Sequence, residues 1–450
     1  MKKIILSGAR ANFFRLLAVI VAAVTFASEA SALPLFARQT GMACSACHFQ
    51  HFPMLNGFGR AFKSAGYTMM GAQGKVEGED LSIPKNLNMA VLTTAGYEKT
   101  NRAFSTTFEK TTGDGAFYVP GTGGELSLFV GGRVSENAGF LAELGKSGTA
   151  GVTASHGSSA KLPIFFEVEA FQFEMAEGTR VGVVPFTTDA QGASYGFEVL
   201  NTGANAVHQM SGTPGLNGAH SAALSAQQYI GTNGSATGLA FVANNPMGFI
   251  NLTKYDQTGI AGGALASWGS TYVRVAGMFY LVGWDTGAGI QIWSGNSAVA
   301  GASKYADTRA AAIDGQMQGR LGDMPVGFYA SYATAPGGTN TYNLDPAGVV
   351  PGSTSGAATK SSLNISAEVG VIPEKATLGA AIRLGKSGVA IIGGASNASD
   401  NAIMLVATYK LAQNMVASFS FTSASGDYWD AAHQDALGSG TATLNLFTLF

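Results

Sequence analysis

Cysteine is nearly absent. The chain of 450 residues has 2, so no disulfide framework stabilises it. Charge is scarce as well, with Asp, Glu, Lys and Arg at 12% against the ~25% of ordinary soluble domains. A formal net charge of −2 provides no basic face for nucleic acid and no polybasic segment for anionic lipid. Apolar residues reach 46%, yet beyond the N-terminal segment no run approaches the ~18 apolar residues of a membrane-spanning helix.

The first residues read as a secretory signal. Lys2, Lys3, Arg10 and Arg15 form a basic region, LLAVIVAAVTF from Leu16 to Phe26 an apolar core, and Ala30-Ser31-Ala32 a small-x-small cleavage site. A retained membrane anchor is the alternative, but the apolar core is about half of the ~20 residues that span a bilayer. Residues 1–32 are therefore expected to be a signal peptide, and their loss makes the mature chain more acidic by three charges. An exported chain poor in charge and without spanning helices points to an outer-membrane barrel, whose alternating apolar residues face lipid. A secreted glycine-rich sandwich or solenoid is the rival.

Alternation decides between them. In SSLNISAEVGV, Leu363, Ile365, Ala367, Val369 and Val371 alternate with Ser362, Asn364, Ser366, Glu368 and Gly370. ATLGAAIRLGK sets Leu378, Ala380, Ile382 and Leu384 opposite Thr377, Gly379, Ala381 and Arg383. GELSLFVGGRV and PIFFEVEAFQFEM follow the same period of two, the signature of a strand with one buried and one differently solvated face. Segments of this kind recur from Leu87 onward about 16 to 18 times, as ~10-residue spanning strands would, and 16 is the expected even number. The closing TATLNLFTLF, with Leu444, Leu446, Thr448 and Phe450 on one face, resembles the C-terminal strand of outer-membrane barrels.

The opposite faces then meet the lumen. They carry Glu125, Arg133, Glu143, Glu167, Glu169, Arg180, Glu198, Arg274, Asp314, Arg320, Glu368 and Arg383. Mixed signs suit a solvated pore wall, an ion path or the seat of a plug. Asn201–Gly218, Gly337–Ala357 and Gly393–Asn401 read as surface loops. No hydrolytic or transferase site stands out. His156, His208, His220 and His433 are scattered without ligand-like spacing.

Both cysteines fall in "RQTGMACSACHFQHFP", Arg38 to Pro53. CxxCH in an exported chain is the attachment signal for c-type haem. Thiols at i and i+3 share one face of a helical turn, where Cys44 and Cys47 can each bond one vinyl group, and His48 can reach the iron as axial ligand. A Cys44–Cys47 disulfide would close a loop too small to gain much stability. A thioredoxin-like site lacks its βαβ unit, and zinc lacks its further ligands.

The surrounding residues read as a small helical haem domain. A helix is expected to begin near Pro53, with Leu55, Phe58 and Phe62 on one face and Gly66 as its stop. Phe49, Phe52, Phe58 and Phe62 are candidates to shield the porphyrin or to form ordinary core. Arg38, Arg60 and Lys63 are candidate partners of haem propionates, with solvated or barrel-facing roles as the alternative. His51, one turn after His48, emerges on the same side and is expected to pack or hydrogen-bond nearby. Met69 or Met70 is the candidate second axial ligand, which would raise the potential; an open or barrel-supplied position is the alternative.

"LPLFARQTGMACSACHFQHFPMLNGFGRAFKSAGYTMMGAQ", Leu33 to Gln73, resembles the N-terminal module of the fused monohaem cytochrome–porin family, outer-membrane iron-oxidising cytochromes. The resemblance covers about a tenth of the chain and rests on FARQTG, CSACH and FP-x-LNGFGR-x-F-K. It implies oxidation of extracellular Fe(II), with the electron passed through one covalent haem c to a periplasmic c-type cytochrome or similar carrier. It transfers Cys44, Cys47 and His48 to named roles and no iron-binding residue of the barrel. The expected organisation is thus a signal peptide over 1–32, a monohaem c-type plug domain over 33–85 and a transmembrane barrel over 86–450, in the bacterial outer membrane. Two rivals are an outward conduit reducing external acceptors and a solute porin with an accessory haem.

Overall fold

The protein is described by a computed structural model covering residues 34–79, 82–100, 115–146, 159–167, 178–188, 191–203, 225–257, 268–298, 305–338, 342, 358–390, 396–430 and 439–450. The expected signal segment over 1–32, Glu169 and the four scattered histidines lie outside the described residues.

Sixteen antiparallel strands close into a barrel. They run from Asn88–Thr100 to Gly440–Leu449, and these two pair with each other, Leu92 opposite Leu449 and Thr100 opposite Thr441. The short segments Ala116–Pro120, Ser159–Lys161 and Tyr305–Asp307 extend neighbouring strands. The strand count and the period of two agree with the sequence. Leu378, Ile382 and Leu384 are about half exposed on the outer wall, whereas Arg383 is 1% exposed inside. An apolar outer belt around a polar interior is the arrangement that satisfies lipid and backbone together, and it places the chain in the bacterial outer membrane.

The two ends differ. At one end six connections are turns of two to five residues, such as Val282-Gly283 and Gln413-Asn414. Val282 and Gly283 both have positive φ, 51° and 79°, the paired left-handed conformation that matches strand twist in a two-residue hairpin. At the other end the connections are longer, as between Thr188 and Ala236. In outer-membrane barrels the short turns face the periplasm.

The lumen is filled in two tiers. Residues 34–79 form the lower tier at the short-turn end, built from α1 (Pro34–Thr40), α2 (Cys44–Cys47) and α3 (Gly57–Ser64). Leu35 of α1 packs with Ala90, Leu92 and Leu449 of the wall, all under 5% exposed. The second tier is the connection after Thr188, which folds inward through 191–203 and α4 (Ala226–Ile230).

Several expectations are corrected. α3 starts at Gly57 rather than near Pro53. Asn56 caps it, its Oδ1 accepting from Gly59 N at 2.9 Å, and Pro53 and Leu55 belong to the preceding turn. Asn201 and Thr202 are fully buried inside the barrel rather than in a surface loop, because Asn201 N donates to Gln316 Oε1 at 2.6 Å and Thr202 Oγ1 to Asp314 Oδ1 at 2.6 Å. Ser399–Asn401 begin a strand. Among the expected lumenal charges, Arg274, Asp314, Glu368 and Arg383 are buried in the wall, and Glu198 is buried on the infolded segment. Glu167 and Arg320 are exposed instead, since both sit at strand ends, Arg320 beside the turn at Gly322.

Candidate functional site

The CSACH segment forms one helical turn. α2 spans both cysteines, and His48 N donates to Cys44 O at 2.8 Å before His48 leaves the helix at φ −109°, ψ 140°. Asn56 fixes this turn to α3: its Nδ2 donates to Ser45 O at 3.2 Å and to Ala46 O at 3.0 Å, and its N to Cys47 O at 3.0 Å. The helices touch backbone to backbone at Gly59, where an added Cβ would lie 2.1 Å from Cys47 O.

Cys44, Cys47 and His48 border one cavity between the plug and the barrel wall, with about 1180 Å³ free of protein atoms, its mouth included. The plug contributes Phe36, Met42, Phe52, Phe62, Lys63 and Tyr67 to the lining. The wall contributes Phe129, Leu141, Glu143, Lys161 and Leu449, and the infolded segment Gln191 and Tyr195. Neither cysteine is in a disulfide, and both are half-buried. Burial, then the neighbouring Cys44, pushes the Cys47 thiol up, which keeps it protonated and unlike the low-pKa cysteine of a redox exchange site. Cys44 Sγ donates to Gln413 O in a short turn at 3.5 Å.

His48 has the character of a metal ligand. Its Nδ1 donates to Met54 O at 3.2 Å, and a carbonyl can only accept, so Nδ1 carries the proton and Nε2 the lone pair. Burial lowers its pKa to about 4 and holds the ring neutral. His51 behaves as expected, bonded nearby: its Nε2 lies 2.7 Å from Glu368 Oε2. Burial lowers the His51 pKa, but the charge and hydrogen bond of Glu368 outweigh it, and the net direction is up.

The other candidates separate. Lys63 lines the cavity, and burial lowers its pKa to about 8, partly offset by Glu198. Arg38 is exposed and donates to Met89 O, while Arg60 points at the wall and binds both oxygens of Asp285 at 2.6 and 2.5 Å. Neither arginine lines the cavity. Met69 and Met70 are also outside the lining; Gln39 Nε2 binds the Tyr67 and Met69 carbonyls at 2.7 Å each and ties that segment to α1. Phe52 and Phe62 line the cavity; Phe49 and Phe58 do not.

The residues present fit a c-type haem. Two neutral thiols on one turn, a neutral imidazole with its Nε2 free of the proton, and an apolar aromatic lining meet at one cavity. The sequence missed Tyr67, Lys161 and Tyr195. The sequence signals for the wall's share were Glu143, expected on the lumenal face, and Phe129, an apolar residue on an otherwise polar lumenal face.

Above this site a buried charge cluster holds the second tier. Arg274 Nε binds Glu198 Oε2 at 3.0 Å and its guanidinium binds Asp314 at 2.9 Å, while Gln291 Nε2 donates to Asp314 Oδ2 at 2.9 Å. Asn201 and Leu55 exchange bonds of 2.7 and 2.9 Å, which joins the two tiers. Among the described residues no cluster of metal-binding side chains occurs.

No protein-family model matches the chain, and no curated protein matches it. Solved structures do. The outer membrane channel DcaP of Acinetobacter baumannii is similar at 11% identity, covering 84% of this chain and 100% of that chain, with a TM-score of 0.47. OmpF of Salmonella typhi, solved in complex with daunomycin, is similar at 12% identity over 84% of this chain and 100% of that chain, with a TM-score of 0.50. The likeness is one of fold, a porin-type outer-membrane barrel.

Proposed function

We propose that this chain is an outer-membrane electron-transfer protein that oxidises extracellular Fe(II) and passes the electron through one covalent haem c to a periplasmic c-type cytochrome or similar carrier. The observation that carries the proposal is the joint placement of Cys44, Cys47 and a neutral His48 with its Nε2 lone pair on one cavity. Cys44 and Cys47 would hold the porphyrin by thioether bonds and His48 the iron. When bound, the haem supplies a one-electron couple in an apolar, largely water-free setting. Asn56 and Met54 orient the attachment turn, and Phe36, Phe62 and Tyr67 exclude water, with ring centroids 4.9 to 5.7 Å apart.

Position supports access of a periplasmic carrier, because the site lies at the short-turn end. An inward and an outward conduit use that access alike, and reduction of the haem by Fe(II) decides between them. Fe(III) product then stays outside the cell, where insoluble oxide does no harm.

The test is an oxidised and reduced absorption spectrum of protein purified from outer membranes of cells able to mature c-type cytochromes, with Cys44→Ala as control, followed by mixing with Fe(II). The expected result is a c-type spectrum, lost in Cys44→Ala, with haem reduced by Fe(II). A colourless wild type overturns the haem, and a coloured protein that Fe(II) does not reduce overturns iron oxidation.

The porin-type fold favours a second reading, a solute porin. Liposome swelling with sugars separates the two, since a lumen filled by two tiers passes sugars poorly.

A further inference from the structure

Lys63 on α3 and Lys161 on the wall strand face the cavity that Cys44, Cys47 and His48 border. Lys161 is 7% exposed; its Nζ donates to Tyr195 O at 3.1 Å and stands 4.3 Å from the Tyr195 ring and 5.8 Å from the Tyr67 ring. The two side chains border the same cavity, one from the plug and one from the wall. Among the described residues neither forms an ion pair with a carboxylate. The carboxylate that attracts Lys63 is Glu198, which is committed to Arg274 and to Leu200 N at 2.8 Å.

Two cations, Lys63 half-buried and Lys161 buried, face a cavity whose lining carries one carboxylate, Glu143, so a further anion between them is favoured. A ligand with two carboxylates placed between them supplies that charge and gains charge-assisted hydrogen bonds to rotatable donors. We infer that Lys63 and Lys161 form a two-ammonium clamp for the pair of propionates of the haem, an inference that rests on the function proposed above. The clamp turns the carboxylate edge of the porphyrin toward the infolded segment at Tyr195. The competing place is the cleft on the short-turn side, where Lys410 lies with Cys44, His48 and Asn414.

The test uses the purified full-length haem protein as wild type, Lys63→Gln, Lys161→Gln, the double variant and Lys410→Gln. Covalent haem content, midpoint potential and the resonance Raman bending bands of the propionates are measured in each. Loss of a cation beside an ionised propionate stabilises the ferric form. Removing either lysine of the clamp therefore lowers the potential in each single variant and lowers it further in the double. The propionate bands shift with it, and Lys410→Gln leaves those bands in place. Bands that move in Lys410→Gln and stay fixed in the other variants overturn the clamp. If a glutamine variant carries no haem, Lys63→Arg decides: wild-type haem content and bands support the clamp, and their loss overturns it. A wild type without covalent haem overturns the proposed function instead, so the two failures are distinguishable.

Discussion

Replacing Gly59 by Ala places one methyl group where the structure has no room for it. Its Cβ would lie 2.1 Å from Cys47 O, 2.9 Å from Cys47 C and 3.1 Å from a Leu55 methyl. Gly59 has ordinary helical backbone, so the effect is steric alone. Because the obstruction is backbone, α3 must retreat from the attachment turn by about 1 Å. That retreat stretches the 3.0 Å bond from Asn56 N to Cys47 O beyond hydrogen-bond range. Overpacking of this kind costs about 1–3 kcal/mol and a lost hydrogen bond about 1 kcal/mol. The sum, about 3 kcal/mol, falls on the plug and spares the barrel. The control is Gly57→Ala on the same helix, whose Cβ meets only the movable ends of Asp285 at 3.3 Å and Arg60 at 3.7 Å; its effect should stay within about 0.5 kcal/mol. The assay is limited proteolysis of residues 34–79 in the folded, detergent-extracted barrel, with covalent haem per chain measured alongside. Gly59→Ala should expose the plug to cleavage with the barrel intact. Equal protection in the two variants would refute the steric account of Gly59.

Other predictions concern the seating of the two tiers. His51, with its folded pKa raised by Glu368, stabilises docking fully below its unfolded value of about 6.5, and this contribution is lost as pH rises through the folded value. Protease protection of the plug should therefore fall on the alkaline side, and Glu368→Gln should flatten that dependence. Arg60→Met leaves Asp285 unpaired and should weaken plug docking by about 2–3 kcal/mol, read as earlier cleavage in a denaturant series, with Arg60→Met/Asp285→Asn recovering part of it. Arg274→Met strands Glu198 and Asp314 without their cation and should release the infolded segment. Single-channel conductance in planar bilayers should rise well above wild type; an unchanged trace would show that the segment stays seated without Arg274.

The barrel was legible because each wall strand states its two environments locally: Ile382 meets lipid and Arg383 meets the lumen one residue later. The turn of CSACH was legible because cysteines at i and i+3 share one face of a helical turn, which the structure forms over Cys44–Cys47. The filling of the lumen was not. Asn201 and Thr202 are small and polar, as loop residues are, and only partners more than a hundred residues away, Gln316 and Asp314, draw them inside. Lys161 looked like any strand charge for the same reason, since its neighbours Tyr67 and Tyr195 come from separate elements. Pro53 suggested a helix start, but the side chain able to cap one belongs to Asn56.

Leu449 lines the cavity, and it also lies on the strand that zips onto Asn88–Thr100 to complete the cylinder. The chamber therefore has no finished wall until the final hairpin locks against the first strand. The container for residues 34–79 is thus completed by the strand farthest from them in sequence. Mutations along that seam, remote from CSACH in sequence, should unseat residues 34–79 from their housing.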